Sequence, residues 1–328
     1  MRNFTFKGLF LAAMFMVLGS LAIQAADDDG LITKQITVKL EKAGTLPDRI
    51  GSTKRDKITN LKIIGEINGT DWRVIREMAG RDYYNDGTDG KLAILDLSEA
   101  KIVRGGDYYY YDHEGFYTHD NELGTHAFYG CRGLTSLTLP SGLTSIGSFA
   151  FAGCYVLTSL SLPSGLTSIG DQAFYGCSGL TSLSLPFGLT SIGSQAFRGC
   201  SGLTSLSLLS GLTSIGDGAF YDCSGLTSIY VYAEKMPKLG TNMFDDCDAK
   251  KCTVYVPKGT YDDYWLSEFG YFENIVEFEA TGINNVVTSN DAKELSRYSV
   301  NGQRLSAPTK GLNIVKYSDG SVKKVAVQ

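Results

Sequence analysis

Residues 173–195 read AFYGCSGLTSLSLPFGLTSIGSQ, and this 23-residue stretch decides the fold because close copies of it stand on both sides. The dipeptide Ala-Phe begins each copy, and a cysteine follows four residues after the alanine. The copies start at Ala127, Ala150, Ala173, Ala196 and Ala219, and their cysteines are Cys131, Cys154, Cys177, Cys200 and Cys223. Units that recur in one register indicate a tandem array in which each unit is one structural repeat.

Each unit has the residue pattern of a strand followed by turns. The segment 180–185, LTSLSL, has the spacing L-x-x-L-x-L that is typical of leucine-rich repeats. Ser182 and Ser184 alternate with leucines, which predicts a strand with one apolar and one hydroxylated face. Residues 186–188, Pro-Phe-Gly, turn the chain, and residues 189–193 form a second, shorter edge. One unit buries too little apolar surface to fold alone, so we expect the units to stack.

The pattern A-F-x-G-C-x-x-L-T-S-L-x-L-P-x-G-L-T-S-I-G resembles the BspA-like leucine-rich repeat family of bacterial surface proteins, of Bacteroidetes type. The resemblance is close over residues 127–223 and extends in weaker form to about residue 280. It implies a β-rich leucine-rich-repeat solenoid, a curved right-handed coil of 23-residue repeats, with an α+β N-terminal cap and a small C-terminal β segment. It also implies a secreted or cell-surface protein that adheres to matrix proteins or to other cells.

The cysteine column allows two interpretations. Equivalent cysteines in stacked strands would lie about 4.8 Å apart, which is close enough for a disulfide, and an exported chain meets oxidising conditions. Cysteine also behaves as a small buried hydrophobe, and a column that keeps step with phenylalanine favours free thiols in the core. Cys247 and Cys252 have no histidine or further cysteine at zinc-finger spacing, so a metal site there is not predicted.

The N-terminus has the three parts of a secretory signal peptide. Arg2 and Lys7 precede an apolar run over residues 9–23, and small residues lead into the acidic run of residues 27–29. We place cleavage after Ala25 and expect the mature chain to be exported, to the extracellular space or the outer cell surface. No later stretch is long and apolar enough for a transmembrane span.

Residues 26–126 are predicted to cap the N-terminal end of the repeats, since a stacked array needs its open apolar face covered. Strands are expected at residues 61–64 and 92–97. A short helix between them would be capped by Thr70 or Asp71 and stop at Gly80. Residues 85–90, NDGTDG, echo a calcium loop but lack its full ligand set, which favours a plain turn.

The C-terminal part is predicted to form a cap that closes the array, followed by a separate segment of short strands. A strand is expected at residues 252–257, with Trp265, Phe269 and Phe272 as bulky cover. Three short strands are expected at residues 298–305, 310–315 and 323–327, a segment that resembles the sorting-type β-domain of secreted Bacteroidetes proteins, although it is short and has Asn313 in place of an aromatic residue. The predicted divisions are 1–25 signal peptide, 26–126 N-terminal cap, 127–248 repeats, 249–280 C-terminal cap and 281–328 sorting-type β segment.

Composition and motifs argue against several classes of function. The chain of 328 residues has 30 Lys+Arg against 35 Asp+Glu, a net charge of −5, and shows no basic cluster for nucleic acid. Three histidines supply few catalytic bases, and neither a G-x-S-x-G elbow nor an HExxH motif occurs. We therefore predict no enzyme, no catalytic residue and no cofactor. A metal site at His113, His119 and His126 fits no known spacing and is not predicted. A purely structural envelope protein and, more remotely, a hydrolase are the alternatives.

Binding is predicted on the hydroxylated strand face or on a neighbouring tyrosine-rich loop. The face has almost no charge, so it would bind by shape and hydrogen bonding, with an extracellular protein or glycan of a host matrix or another cell as partner. The alternative is that the face is only solvated. The residues of the candidate face are Ser136, Thr138, Ser159, Ser161, Ser182, Ser184, Ser205, Ser207, Ser228 and Tyr230, and those of the candidate loop are Tyr108, Tyr109, Tyr110 and Tyr111.

Overall fold

The computed structural model describes residues 30–233 and 235–278 in full, together with the backbone of strands at 294–299, 304–305, 311–317 and 322–327. The predicted signal peptide, residues 1–25, lies outside the described residues. The strands are β1 Ile36–Leu40, β2 Asn60–Ile67, β3 Ile94–Ile102, β4 Gly105–Asp112, β5 Glu114–Thr118, β6 Glu122–Leu123, β7 Ser136–Thr138, β8 Ser145–Ile146, β9 Ser159–Ser161, β10 Ser168–Ile169, β11 Ser191–Ile192, β12 Ser205–Leu208, β13 Ser214–Ile215, β14 Ser228–Val231, β15 Lys238–Leu239, β16 Thr253–Pro257, β17 Asn274–Phe278, β18 Glu294–Ser299, β19 Arg304–Leu305, β20 Gly311–Tyr317 and β21 Val322–Val327. The α-helices are α1 Leu46–Ile50, α2 Gly69–Met78 and α3 Tyr261–Trp265, and short 3-10 segments lie at Ser52–Lys54 and Glu268–Tyr271.

The longer strands of the repeats stack side by side in parallel. One sheet has the order β1-β2-β3-β7-β9, and a second has the order β12-β14-β16-β17. Within the consensus repeats the paired residues are 23 apart, as in Ser136 with Ser159 and Ser205 with Ser228. The predicted stacking of repeats through parallel strands is therefore confirmed, and the N-terminal segment contributes three strands to the first of these sheets.

The second edge of each repeat forms a continuous ladder of two-residue strands. Its order is β15-β13-β11-β10-β8-β6, and its three inner pairs join the Ser-Ile of one repeat to that of the next. At its two ends, Glu122-Leu123 and Lys238-Leu239 take the place of Ser-Ile. A glycine follows each Ser-Ile because the backbones approach closely there. A Cβ added to Gly193 would lie 2.5 Å from the backbone nitrogen of Asp171. The expectation of a strand or turn at this edge, rather than a helix, is confirmed.

The longer-strand ladder is interrupted in the third consensus repeat. Residues 181–186 form no strand, although the leucines at 183 and 185 remain buried. The prediction of a strand at Ser182 and Ser184 is therefore wrong. The short ladder passes through the same repeat without a break, since Ser191 pairs with both Ser168 and Ser214.

The interior is built from columns that keep the repeat spacing. The rings of Phe128, Phe151, Phe174, Phe197, Phe220 and Phe244 form one stack with centroids 5.0–5.8 Å apart. All are essentially excluded from solvent. The cysteine column is also buried, and all seven cysteines of the chain are present as free thiols. Each thiol from Cys154 to Cys223 donates to the carbonyl oxygen of the phenylalanine 26 residues earlier, at 3.1–3.2 Å.

The N-terminal segment contains the predicted strands and helix, with a different helix start. Helix α2 begins at Gly69, because Asn68 is the N-cap and its side chain accepts from the nitrogen of Thr70. Neither Thr70 nor Asp71 is the cap. Asp71 instead accepts from the backbone nitrogens of Asn68, Gly44 and Leu46, and so holds the preceding loop against the helix. The chain turns at Tyr83 and Tyr84, just before residues 85–90 where the turn was predicted. The Asp82 carboxylate there accepts from the nitrogens of Tyr84 and Asp86.

The C-terminal end of the ladder is closed by β16, α3 and β17. Phe269 and Phe272 are fully buried and pack against Phe244, which confirms them as cover. Trp265 is 45% exposed and stacks on Tyr261, so its prediction as cover is wrong. Strands β18 to β21 form an antiparallel sheet in the order β19-β18-β20-β21. The single strand expected over residues 298–305 is two strands, β18 and β19.

Candidate functional site

The predicted strand face exists as two columns of outward side chains, which we call the outer strand face. Strand register places one column at Asn60, Ile94, Ser136, Ser159, Ser205, Ser228, Thr253 and Asn274, and the other at Lys62, Asp96, Thr138, Ser161, Ser207, Tyr230, Tyr255 and Val276. The residues between them, such as Leu137 and Leu206, are buried. Ser182 and Ser184 have the right phase and are exposed, but they lie in the unpaired segment.

The N-terminal end of the outer strand face is charged, and its charges pair with one another. Lys62 bridges Asp96 at 3.2 Å and Glu99 at 2.7 Å. The hydrogen bonds that the Lys62 ammonium donates to Glu99 and Asp96 raise the pKa of Lys62. Lys101 and Glu66 form a further exposed pair at 3.1 Å. Since exposed pairs of this kind contribute little and are screened by salt, this end offers no strong field for a distant ligand.

The middle of the outer strand face has serine hydroxyls, while the hydroxyls of the exposed threonines beside it bond to the backbone. Thr158, Thr204 and Thr227 donate to the carbonyl of the preceding repeat at 2.9–3.3 Å. The serines project outward, and the Ser228 hydroxyl donates to the Ser205 hydroxyl at 3.1 Å. This division leaves an uncharged surface with hydroxyl groups at the spacing of the strands.

The C-terminal end of the outer strand face is aromatic. Tyr230 and Tyr255 stack with centroids 4.6 Å apart and planes within 7°. Phe278 contacts Tyr230 and Tyr232 edge-on, at 6.4 and 5.4 Å. Tyr255 and Phe278 were not predicted as site residues because they lie outside the 23-residue consensus. The matching phase of SIYV at 228–231 and TVYV at 253–256 was the signal that could have identified Tyr255.

The tyrosine-rich segment is a hairpin, β4 with β5, and not a loop. Tyr109 and Tyr110 are buried, at 1% and 6% exposure, so their prediction as contact residues is wrong. Neighbouring residues of a strand point to opposite faces, yet both of these side chains are covered. The Tyr109 hydroxyl donates to the Thr125 carbonyl at 2.7 Å, and Tyr110 stacks on His126 at 4.4 Å.

Tyr108 and Tyr111 belong to a surface group that we call the hairpin aromatic cluster: Tyr83, Tyr84, Tyr108, Tyr111 and Tyr117. Neighbouring rings in this cluster lie 4.3–6.3 Å apart. The Arg73 guanidinium lies 4.3 Å from the Tyr83 ring and 4.1 Å from the Tyr108 ring, and its Nε donates to the Tyr108 carbonyl. Tyr83, Tyr84 and Tyr117 were not predicted, because they reach this cluster only through the fold.

The three histidines do not converge. His126 lies between the rings of Tyr110 and Phe149, at 4.4 and 5.0 Å, and burial lowers its pKa to about 4. His113 and His119 are exposed. Within the described residues, no group of three or more His, Cys, Asp or Glu side chains is arranged to hold a metal ion.

The turn edge of the repeats has cation–π contacts that sequence reasoning missed. The Arg132 guanidinium lies 5.2 Å from the Tyr155 ring, and that of Arg198 lies 4.3 Å from Tyr221 and 5.9 Å from Tyr175. Tyr155 and Tyr175 are 46% and 41% exposed. The sequence could have indicated these contacts, since arginine and tyrosine stand here at repeat positions that otherwise hold small, uncharged residues.

The cysteine thiols are unsuited to nucleophilic chemistry. Desolvation by burial raises the pKa of Cys200 and Cys247 to about 12, and raises the pKa of Cys177 well above its usual value. A thiol attacks as the thiolate, which these groups do not form near neutral pH. The column is therefore a structural feature of the core.

Comparison with known proteins places the repeats among leucine-rich repeats. Residues 121–251 match the family described as BspA type leucine rich repeat region, in six copies. No curated protein matches the chain significantly. Similar solved structures include a leucine-rich repeat protein of T. pallidum (29% identity, 44% of this chain and 70% of that one, TM-score 0.34), a leucine-rich cell surface protein of Faecalibacterium prausnitzii (23%, 64% and 51%, 0.33) and the pneumococcal vaccine antigen PcpA (16%, 78% and 82%, 0.38). Among the described helices, none has the length and apolarity needed to cross a membrane.

Proposed function

We propose that this chain is an exported protein of the cell surface that binds an extracellular macromolecule across its outer strand face. The match of its repeats to BspA-type leucine-rich repeats supports a surface role. In this proposal residues 1–25 direct export, the repeats coil as a right-handed solenoid, and the N-terminal segment caps it. The C-terminal β segment would serve in sorting or attachment.

The observation that carries the proposal is the composition of the outer strand face. From β7 to β14 its paired residues are Ser, Thr and one Tyr, all uncharged and all held in register by buried leucines or isoleucine between them. A face of this kind can present many weak polar contacts to an extended partner. The partner would be a protein segment or a glycan, and binding would depend weakly on salt because few ion pairs form.

The test uses the full exported chain on arrays of matrix proteins and glycans. The triple variant Ser182→Glu, Ser184→Glu, Ser205→Glu places bulky charges on the outer strand face, where all three side chains are exposed. We expect it to fold normally and to bind the highest-affinity array component at least about tenfold more weakly, since buried unpaired charge is costly.

The matched control is Ser145→Glu, Ser168→Glu, Ser191→Glu, which makes the same change on the short ladder. It should retain wild-type affinity. Equal binding by both triple variants, or a loss confined to the short-ladder variant, would assign the interaction to another surface.

A further inference from the structure

The outer strand face contains an abrupt change in side-chain size between β12 and β14. In strand register Ser207 pairs with Tyr230, and Tyr230 in turn pairs with Tyr255. Tyr230 stacks one face of its ring on Tyr255, 4.6 Å away. Its other face is directed along the ladder toward the strand that carries Ser207, where the side chain is too small to continue the stack.

Resting on the proposed function, we propose that the open face of Tyr230 is a stacking platform for one pyranose ring of a neutral oligosaccharide. Strands in a sheet lie about 4.8 Å apart, so a ring above Ser207 would continue the stack of Tyr255 and Tyr230 at the same spacing. Phe278, edge-on to both Tyr230 and Tyr232, supports the platform from the C-terminal side.

The groups around this platform favour a sugar over an aromatic side chain. The adjacent column of the outer strand face carries the hydroxyls of Ser205 and Ser228, 3.1 Å apart, and the next strand carries Thr253. Ser207 adds a hydroxyl beneath the vacant ring position. A pyranose has apolar C–H groups on its ring face and hydroxyls around its rim, so it would use both the tyrosine face and the serine rim.

The absence of charge favours a neutral sugar over an acidic one. The six outer-face residues of β12, β14 and β16 are Ser205, Ser207, Ser228, Tyr230, Thr253 and Tyr255. A sulfated or uronic sugar would bring an anion to a place where these residues provide no cation to pair with it. The two arginines of the consensus repeats lie instead on the turn edge, over Tyr155 and Tyr221.

The test is calorimetric titration of the exported chain with neutral hexasaccharides of glucose (β-1,4 and α-1,4), mannose, xylose and N-acetylglucosamine. Tyr230→Ser restores the serine that preceding repeats have at this position, so the variant should fold. We expect it to weaken binding of the best hexasaccharide about tenfold or more. Ser207→Tyr extends the tyrosine stack into the sugar's place and should abolish binding. Tyr175→Ser, at an exposed tyrosine of the turn edge, is the control and should bind as wild type does.

The outcomes separate this inference from the proposed function. If no hexasaccharide binds, while a matrix protein binds and the charged outer-face variant blocks it, the sugar platform is wrong and the proposed function stands. If a hexasaccharide binds Tyr230→Ser and Ser207→Tyr as tightly as it binds the wild-type chain, the site lies elsewhere and the inference is overturned. If no hexasaccharide binds, while an aromatic-rich peptide binds the wild-type chain and Ser207→Tyr blocks it, the platform belongs to a protein ligand and the inference is likewise overturned.

Discussion

At the scale of single residues, position within the 23-residue period decides burial. The columns of phenylalanine and cysteine were predictable because they are apolar and recur at one position in every turn, which a stacked array buries. Tyr109 and Tyr110 show where this reasoning ends. They lie in a run of four tyrosines without a period, and their burial follows from a hairpin that pairs Tyr110 with Phe116.

The phenylalanine column gives the first prediction. Phe174→Ala or Phe197→Ala should each lower the free energy of unfolding by about 3–5 kcal/mol, since both rings are buried and removing either leaves a cavity in the stack. Urea unfolding followed by circular dichroism measures the loss. Phe187→Ala, at a ring that is 48% exposed, is the control and should change stability by less than about 1 kcal/mol. Unchanged midpoints for the first two variants would show that the column is not packed.

His126 gives a prediction about pH. Burial between aromatic rings lowers its pKa from 6.5 to about 4, an effect that Arg76 reinforces and Asp112 opposes. Between these pH values the unfolded chain binds a proton that the folded chain does not, so stability should fall as pH drops from about 6.5 to about 4. Because the ring is only partly buried, we expect this residue to contribute a loss of about 1–2 kcal/mol.

The variant His126→Gln isolates that contribution. Gln172 and Gln195 occupy the equivalent positions of later repeats with the same positive φ, 54° and 55° against 60° for His126, so glutamine fits the backbone there. Stability of His126→Gln measured from pH 7 to pH 4 should fall less steeply than that of wild type. His119→Gln, at an exposed side chain, should reproduce the wild-type profile. Identical slopes for wild type and His126→Gln would contradict the assignment.

At the scale of elements, local sequence predicts the ladder of two-residue strands but does not predict where the ladder of longer strands is interrupted. The hexapeptide LTSLSL occurs at 157–162, 180–185 and 203–208. Two copies contain the strands β9 and β12, and the copy at 180–185 contains none. Identical segments with different pairing cannot be told apart from their own sequence, because the cause of the difference lies outside the segment. The outer strand face was therefore predictable as a set of residues, and its interruption was not.

Hydrogen exchange tests the interruption. Within the described residues, the backbone nitrogens of Ser182 to Leu185 have no hydrogen-bond acceptor assigned, whereas Thr204 donates to Thr181 and the strands on either side are paired. Amides without an acceptor exchange through small local openings, so those at 182–185 should exchange much faster than those at 228–231, whose strand is paired on both sides. Exchange followed by mass spectrometry resolves the two segments. Equal protection would mean that the ladder is continuous in solution.

At the scale of the whole molecule, the N-terminal segment and the repeats are joined by side chains as well as by the sheet. Arg76 of α2 is fully buried, and its guanidinium donates to the carbonyls of Asp82, His126 and Ala127 at 2.9–3.3 Å. Trp72, one turn earlier, donates to the same Ala127 carbonyl at 3.0 Å. These contacts fix the first turn of the repeat array to the helix before it. Sequence patterning did not single out Arg76, since a charged residue on a helix is usually solvated.

The contacts of Arg76, which join helix α2 to the first repeat, give a prediction about unfolding. Arg76→Met keeps the length and much of the volume of the side chain but leaves buried carbonyls without a donor, which should cost about 2–4 kcal/mol. Arg76→Lys supplies donors from a single ammonium and should recover part of that loss, whereas Arg104→Met, at an exposed residue, should cost less than about 1 kcal/mol.

Because the lost bonds connect the helix to the repeats, the N-terminal segment of Arg76→Met should also become sensitive to limited proteolysis before the repeats do. An Arg76→Met protein as stable and as protease-resistant as wild type would show that the sheet β1-β2-β3-β7 holds the N-terminal segment and the repeats together without the Arg76 contacts.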